Sequence, residues 1–379
     1  MDFKFTEDQD SIRSVAMRMF EDHSKPEMLR AVEDSGDYFQ KALWEDLARS
    51  QFLGIALPED VGGGAMGFVE LCILLEMQGR SVSWVPLLPT LVLGALPIDR
   101  FGTEAQRKHW LPGVCAGETI LTAALAEEDS LEPGAPSTRA ACVAGTWHLT
   151  GRKICVPAAE RAARILVPAR SGPEGALGVF LLDPQAPGVT IERQVTTSGE
   201  PHGLLILKDA RVGHDEVLGD PAHGAEIVEF IRRRATLGLC AMELGIAQRQ
   251  LELIAEYTTK RHQFGRAIGS FQAVGQRAGD AYIDVQAIRL STWAAAWRLA
   301  EGRETDRDVT LAKYWASEAG HRIAFSAQHL HGGMGYDKDY PLYRYYLKAK
   351  EIELSLGNAA WQLARLGTEL VDGAVEVME

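Results

Sequence analysis

The sequence predicts an α+β chain in which a small β-domain separates two helical segments, and three observations carry that prediction. Helix-start signals and apolar helices fill the first part of the chain. Short β-branched runs between Gly, Pro and polar turns fill the middle, and long stretches of i+3/i+4 periodicity fill the last part. A chain of 379 residues exceeds one average domain, so two or three packed units are expected from length alone.

Residues 1–117 are expected to form an N-terminal helical domain. Thr6-Glu-Asp-Gln-Asp has the form of a helix start with early acidic residues, and Phe68 to Gly79 follows the Gly62-Gly63-Gly64 turn as an apolar helix. Val69, Leu71, Cys72, Leu74, Leu75 and Met77 crowd together there, which predicts burial on several sides. In residues 118–222 the runs Ile165-Leu-Val, Gly178-Val-Phe-Leu-Leu, Val189-Thr-Ile and Leu204-Leu-Ile-Leu read as strands of a small β-barrel or sandwich. Residues 223–379 return to the helical period. Leu244, Ala247, Leu251 and Ile254 keep one face, Val274, Ala278, Ala281, Val285 and Ile288 a second, and Ala312, Trp315, Ala319, Ile323 and Ala327 a third. Long uncapped stretches of this kind predict a C-terminal bundle of long helices, four-helix-bundle-like.

Composition narrows the function classes. With 46% hydrophobic and 24% charged residues the chain reads as a soluble globular protein, and no apolar run approaches the ~20 residues that span a bilayer. The start Met1-Asp-Phe-Lys-Phe-Thr has neither the basic nor the apolar part of a secretory leader, so the expected location is cytoplasmic. A net charge of −13 argues against a nucleic-acid partner, which needs a basic face. Cys72, Cys115, Cys142, Cys155 and Cys240 are scattered without a Cys-x-x-Cys pair; they suggest neither metal site nor disulfides and are expected to be buried thiols.

Three segments carry chemistry. Leu57-Pro-Glu-Asp-Val-Gly-Gly-Gly is followed by Glu76 and Gly79-Arg80; Tyr257-Thr-Thr-Lys-Arg-His-Gln-Phe-Gly-Arg by Ser270-Phe-Gln-Ala; and Gln328-His-Leu-His-Gly-Gly-Met-Gly-Tyr by Asp339-Tyr-Pro-Leu-Tyr-Arg. Arg261 can fork two donors onto a pyrophosphate, whereas a lysine would offer a point charge. Gln263, Gln272 and Gln328 offer amide donors and acceptors, and Phe264 an apolar wall for a flat ring. Gly332 and Gly333 let backbone amides approach an anionic or planar group closely. Taken singly, an arginine at a helix end is usually a solvated charge, and a Gly-Gly pair is usually a turn.

In order and separation the three segments resemble the acyl-CoA dehydrogenase family over nearly the whole chain. The resemblance implies that fold, FAD as cofactor, an acyl-CoA substrate and an electron-transfer flavoprotein as electron acceptor. It also implies that Arg261, Gln263, Phe264, Gln272, Gln328, Gly332 and Gly333 reach across a subunit interface to FAD held mainly by the neighbouring chain.

The sequence departs from the family where the proton chemistry is done. Dehydrogenation between Cα and Cβ of a thioester needs a base for the α-proton while the flavin takes the β-hydride. In most members a glutamate stands where this chain has Leu356, and in a minority where it has Ala235. No catalytic residue is therefore assigned. Glu243 lies eight residues beyond Ala235, about 12 Å along a helix and about 80° round it, and is read as a bystander. Glu351 and Glu353 reach the Leu356 position only through a register shift. The flavin-ring motifs are altered too: Ala126-Glu-Glu-Asp-Ser-Leu-Glu-Pro-Gly-Ala-Pro-Ser-Thr replaces the usual acyl-CoA loop, and Lys153-Ile-Cys-Val-Pro replaces a strand with Trp and Thr. Cys155 has no broad aromatic face, and Pro157 has neither hydroxyl nor N–H. The resemblance thus points to one member of a hetero-oligomer, a two-plus-two tetramer as in actinobacterial steroid side-chain degradation, with a paralogous subunit supplying flavin pocket and base. Two alternatives stand beside it: a self-sufficient homo-oligomeric flavoenzyme with a displaced base such as Glu353, and a non-catalytic scaffold of the same fold.

Overall fold

The computed structural model describes residues 4–128, 130, 132–172 and 176–371. Met1, Asp2 and Phe3, which enter the reading of the start of the chain, lie outside the described residues, as do Asp129 and Leu131 of the 126–138 stretch. Six helices come first: α1 (Glu7–His23), α2 (Pro26–Asp34), α3 (Lys41–Arg49), α4 (Phe68–Ser81), and, after a π-helical run over Leu88–Ala95, α5 (Leu96–Phe101) and α6 (Glu104–Cys115). Thr6 caps α1 as its sequence predicts. Its hydroxyl accepts from Gln9 N at 3.2 Å, and Gln9 Oε1 accepts from Thr6 N at 3.0 Å, satisfying two otherwise orphaned amides. Leu71, Cys72, Leu74, Leu75 and Met77 of α4 are all buried, so the blurred periodicity reflects a helix covered on several sides.

Eight strands follow: β1 (Leu121–Ala123), β2 (Arg139–Val143), β3 (Thr146–Pro157), β4 (Arg164–Arg170), β5 (Leu177–Leu182), β6 (Val189–Val195), β7 (Pro201–Val212) and β8 (Val217–Leu218). They form one sheet in the order β6-β7-β3-β2-β4-β5-β8, with β1 paired to β4. Its core gathers Trp147, Leu149, Val167, Phe180, Leu205 and Val212. After the sheet come α7 (Gly224–Lys260), a hairpin of β9 (His262–Gln263) and β10 (Arg266–Ala267), α8 (Gln272–Ala300), α9 (Asp306–His331), α10 (Leu342–Leu354) and α11 (Ala359–Val371). The periodic faces read from the sequence lie on α7, α8 and α9, as expected. Among the described residues no helix is long and apolar enough to cross a membrane.

Two compact units result. One comprises Met1–Arg30, Cys72–Ser83 and Thr236–Glu379, and the other Ala31–Leu71 and Trp84–Ala235. The first is a helical unit, and the second carries the sheet. Of the five cysteines only Cys72 and Cys240 are buried; Cys115 is half-buried, and Cys142 and Cys155 are exposed. The expectation of five buried thiols fails in the sheet because Cys142 lies at the uncovered end of β2, where residues 141–143 are all exposed, and Cys155 at an irregularity of β3.

Within the helical unit α4 and α7 touch backbone to backbone. A Cβ on Gly79 would lie 2.0 Å from the Met242 carbonyl oxygen, and one on Gly245 would lie 1.9 Å from that of Glu76. Neither position has room for a methyl group, and the atoms in the way are backbone. Gly245→Ala is therefore expected to destabilise the chain by about 1–3 kcal/mol or more in urea unfolding. Gly275→Ala on α8, where a Cβ meets nothing within 4 Å, should stabilise it by about 0.5–1 kcal/mol.

Candidate functional site

The end of α7 delivers Arg261 to the β9–β10 hairpin. Gln263 pairs with Arg266 and His262 with Ala267, leaving Phe264 and Gly265 as the two turn residues with φ of 53° and 79°. Positive φ at both central positions is the geometry of a type I′ turn, which favours Asn-Gly. Phenylalanine in the left-handed region is strained, and here its side chain is 92% exposed. A strained, exposed aromatic ring at a hairpin tip is a cost to the isolated fold. The turn is braced from below: the Arg266 guanidinium lies 4.1 Å from the Phe271 ring centre, and the Phe264 and Phe271 rings meet edge to face at 6.1 Å.

Arg261, Gln263, Phe264 and Gln272 are all exposed. Gln263 folds back so that its Nε2 donates to the His262 carbonyl at 2.7 Å. Gln328 is half-buried on α9, and Gly332 and Gly333 are exposed just beyond its end, where a Cβ on either would meet nothing within 4 Å. The two segments converge through His331. Its ring stacks on Tyr257 with centroids 4.4 Å apart, four residues before Arg261. Burial lowers the His331 pKa; its Nδ1–H donates to the Ala327 carbonyl at 2.7 Å, and Nε2 accepts from the Tyr340 hydroxyl at 3.1 Å. A neutral, doubly bonded imidazole therefore joins the end of α7 to the end of α9.

In the sheet-bearing unit a buried ion pair occupies the 126–138 stretch. Lys153 Nζ lies 2.7 Å from Glu127 Oε1, which also accepts from Thr138 N at 3.1 Å and Thr138 Oγ1 at 2.6 Å, while Ser137 N donates to Oε2. Burial opposes ionisation of Glu127, but Lys153 and these donors outweigh it and hold the carboxyl down to about 2. The Ile154 amide donates to the Ala126 carbonyl at 2.9 Å, closing the loop onto β3. Beside this contact β3 slips register against β7 between Lys153 and Val156. Cys155 there takes φ of 50°, and its N–H donates to Gln194 Oε1 at 2.8 Å. Sequence reading missed this clamp. The available signal was parity, since Lys153 shares the inward phase of Trp147 and Leu149 on β3.

The two positions at which the sequence places the family's base are Ala235 and Leu356. Ala235 is fully buried on α7; Leu356 is half-buried in the turn after α10 with φ of 54°, its carbonyl accepting from Gln362 Nε2 at 3.0 Å. Glu353 is engaged elsewhere: Lys350 Nζ contacts its Oε2, and His321 Nδ1 lies 3.3 Å from the same atom. Glu243 pairs with no arginine. It is fully buried against Gly320 of α9, and burial raises its carboxyl well above the usual range.

The comparisons agree along the chain. Residues 6–118 match the acyl-CoA dehydrogenase N-terminal domain and residues 230–371 its C-terminal domain. Acyl-CoA dehydrogenase FadE27 of Mycobacterium tuberculosis is 37% identical over 98% of this chain and 99% of its own length. The ChsE4-ChsE5 complex from Mycobacterium tuberculosis superposes with a TM-score of 0.93 at 37% identity, covering 98% of this chain and 99% of that one. A variant of the Tcur3481-Tcur3483 steroid ACAD superposes with a TM-score of 0.90 at 41% identity, covering 98% and 99%.

The hairpin tip gives a direct expectation. Phe264→Asn should leave the isolated chain as stable or raise its thermal midpoint slightly, because Asn suits the turn and removes exposed apolar surface. If the ring serves only the isolated fold, the midpoint will fall instead.

Proposed function

The chain belongs to the acyl-CoA dehydrogenase family, and from that premise we propose that it is the base-lacking subunit of a heteromeric FAD-dependent acyl-CoA dehydrogenase. One observation carries the reading: the chain presents Arg261, Phe264, Gly332 and Gly333 outward, while alanine and leucine occupy both positions at which the family keeps its base. A residue set turned away from its own chain serves a neighbour.

The exposed groups fit a dinucleotide. Arg261 has a guanidinium free to fork onto a pyrophosphate, Phe264 offers an apolar face, and the glycine pair leaves its amides open to close approach. When bound, FAD supplies the hydride acceptor for dehydrogenation of an acyl thioester to a 2-enoyl thioester. Arg261 would offset the pyrophosphate charge, and Phe264 would offer an apolar face that excludes water. Proton removal at the α-carbon falls to the other chain, because Leu356 and Ala235 have no proton acceptor. The 126–138 stretch supports this division. Glu127 and Lys153 tie it down internally, and Cys155 and Pro157 offer neither ring face nor hydroxyl to a flavin.

The relatives whose printed names describe a steroid ACAD and a paired complex favour a steroid thioester as substrate and a paralogous acyl-CoA dehydrogenase as partner; the family resemblance implies an electron-transfer flavoprotein as acceptor. Co-expression with candidate paralogues, followed by flavin and activity assays, tests the reading. Purified alone, the chain should carry no stoichiometric FAD and no dehydrogenase activity; both should appear in the complex, and their presence in the lone chain would overturn the proposal. In the complex, Arg261→Gln should weaken FAD retention by about 10–100-fold.

A further inference from the structure

Two ionisable side chains, Glu243 on α7 and Lys313 on α9, lie fully buried in the helical unit. Lys313 is saturated. Its Nζ donates to Ser317 Oγ at 2.8 Å, to the Ile352 carbonyl at 2.9 Å and to the Glu353 carbonyl at 3.2 Å, so three acceptors match the three protons of an ammonium group. Two of these acceptors belong to the last turn of α10, where carbonyls lack intrahelical donors and the helix dipole favours a cation. Glu243 is the opposite case: neither carboxyl oxygen has a hydrogen-bond partner. It fits because residue 320 is glycine, where a Cβ would lie 2.4 Å from Glu243 Oε1.

The two groups are close along α9. The Lys313 side chain runs toward Ser317, and Gly320 lies three residues further, a rise of about 4.5 Å. Among the described residues the other ionisable groups around Glu243 are engaged elsewhere. Cys240 of α7 is a buried thiol; Lys350 and Glu353 of α10 bind each other and His321 of α9; Asp284 of α8 is held by Arg322, and Arg289 of α8 by Gln248. On α11 Arg365 lies beside Glu369. A buried acid with two unmet oxygens next to a satisfied ammonium has one evident alternative. In it the acid ionises, and the ammonium turns to it, forming a buried ion pair.

We propose that Lys313 is a two-position latch, tying off the C-terminal end of α10 while Glu243 is protonated and turning to Glu243 when that carboxyl ionises. In the second position the Glu353 carbonyl loses the Lys313 donor, and the Ile352 carbonyl keeps only the Ser355 amide at 3.2 Å. The turn after α10 then loosens on one side only, because Gln362 Nε2 still donates to the Leu356 and Gly357 carbonyls at 3.0 and 3.3 Å. α10 and α11 thus gain a hinge at Ser355.

The charge states agree with the geometry. Burial holds Glu243 well above the ordinary carboxylate range and pushes Lys313 down to about 8 against the attraction of Cys240, Glu243 and Glu353. Because Glu243 is raised on folding, its contribution to stability is full below the ordinary carboxylate pKa and is lost as pH rises toward the folded value.

Amide hydrogen exchange at Ser355, referenced to Val285 in the middle of α8, tests the latch in the full chain between pH 6 and pH 9. In the wild type, protection at Ser355 should fall about tenfold or more across that range, with loss of the protonated-carboxyl infrared band that E243Q removes at neutral pH. In E243Q the fall should be absent or displaced to higher pH. The same fall at the same pH in E243Q would place the loosening on Lys313 alone and overturn the latch. So would the lack of a Glu243 carboxylic-acid band at neutral pH.

Discussion

The backbone contact of α4 with α7 at Gly79 and Gly245 sets the register on which the polar interior of the helical unit depends. α7 runs unbroken over Gly224–Lys260, so fixing it at one point fixes the azimuth of every residue along it. Glu76 and Arg80 of α4 flank the crossing. Arg80 makes a two-pronged contact to Glu252 of α7 at 2.7 and 2.8 Å, and Tyr345 of α10 donates to the Arg80 carbonyl at 2.9 Å. Glu76 is buried with Arg13 3.1 Å away, and burial raises its carboxyl. The same register turns Glu243 toward Gly320 and brings Tyr257 onto His331, so the end of α7 arrives at the hairpin in a defined orientation.

Under the proposed reading, that orientation lets one chain supply part of a shared site. The outward groups at Arg261, Phe264 and Gly332 depend on the ends of α7 and α9, which His331 joins. The motifs that the family resemblance places at the flavin ring lie instead in the 126–138 stretch and on β3. Those two regions lie in separate compact units. The turn at Leu356 is kept by Gln362 and by Lys313 through backbone carbonyls rather than by the side chain at residue 356. The Glu127–Lys153 pair likewise keeps the loop closed without reference to a ligand.

Much of the fold was legible because periodicity and turn chemistry act locally. The Thr6 cap, the buried face of α4, the strands at Ile165, Gly178, Val189 and Leu204, and the long helices all follow from spacing. The exposed state of Cys142 and Cys155 was not legible, because it depends on sheet order and on a register slip in β3. The outward residues of the candidate site were readable as motifs, but the left-handed φ of Phe264 was not; it arises from the two-residue turn that the hairpin forms. The buried, unpartnered Glu243 and the saturated Lys313 were invisible for a different reason. Each is defined by what faces it from another helix: Gly320 of α9 for Glu243, and the last carbonyls of α10 for Lys313.

The division of labour between unlike chains makes a stoichiometric claim. Counting FAD by native mass spectrometry in the co-purified complex tests it directly. One FAD for each pair of unlike chains, two in a two-plus-two tetramer, is the predicted result. One FAD for every chain would mean that this subunit holds a flavin of its own, and would contradict the account.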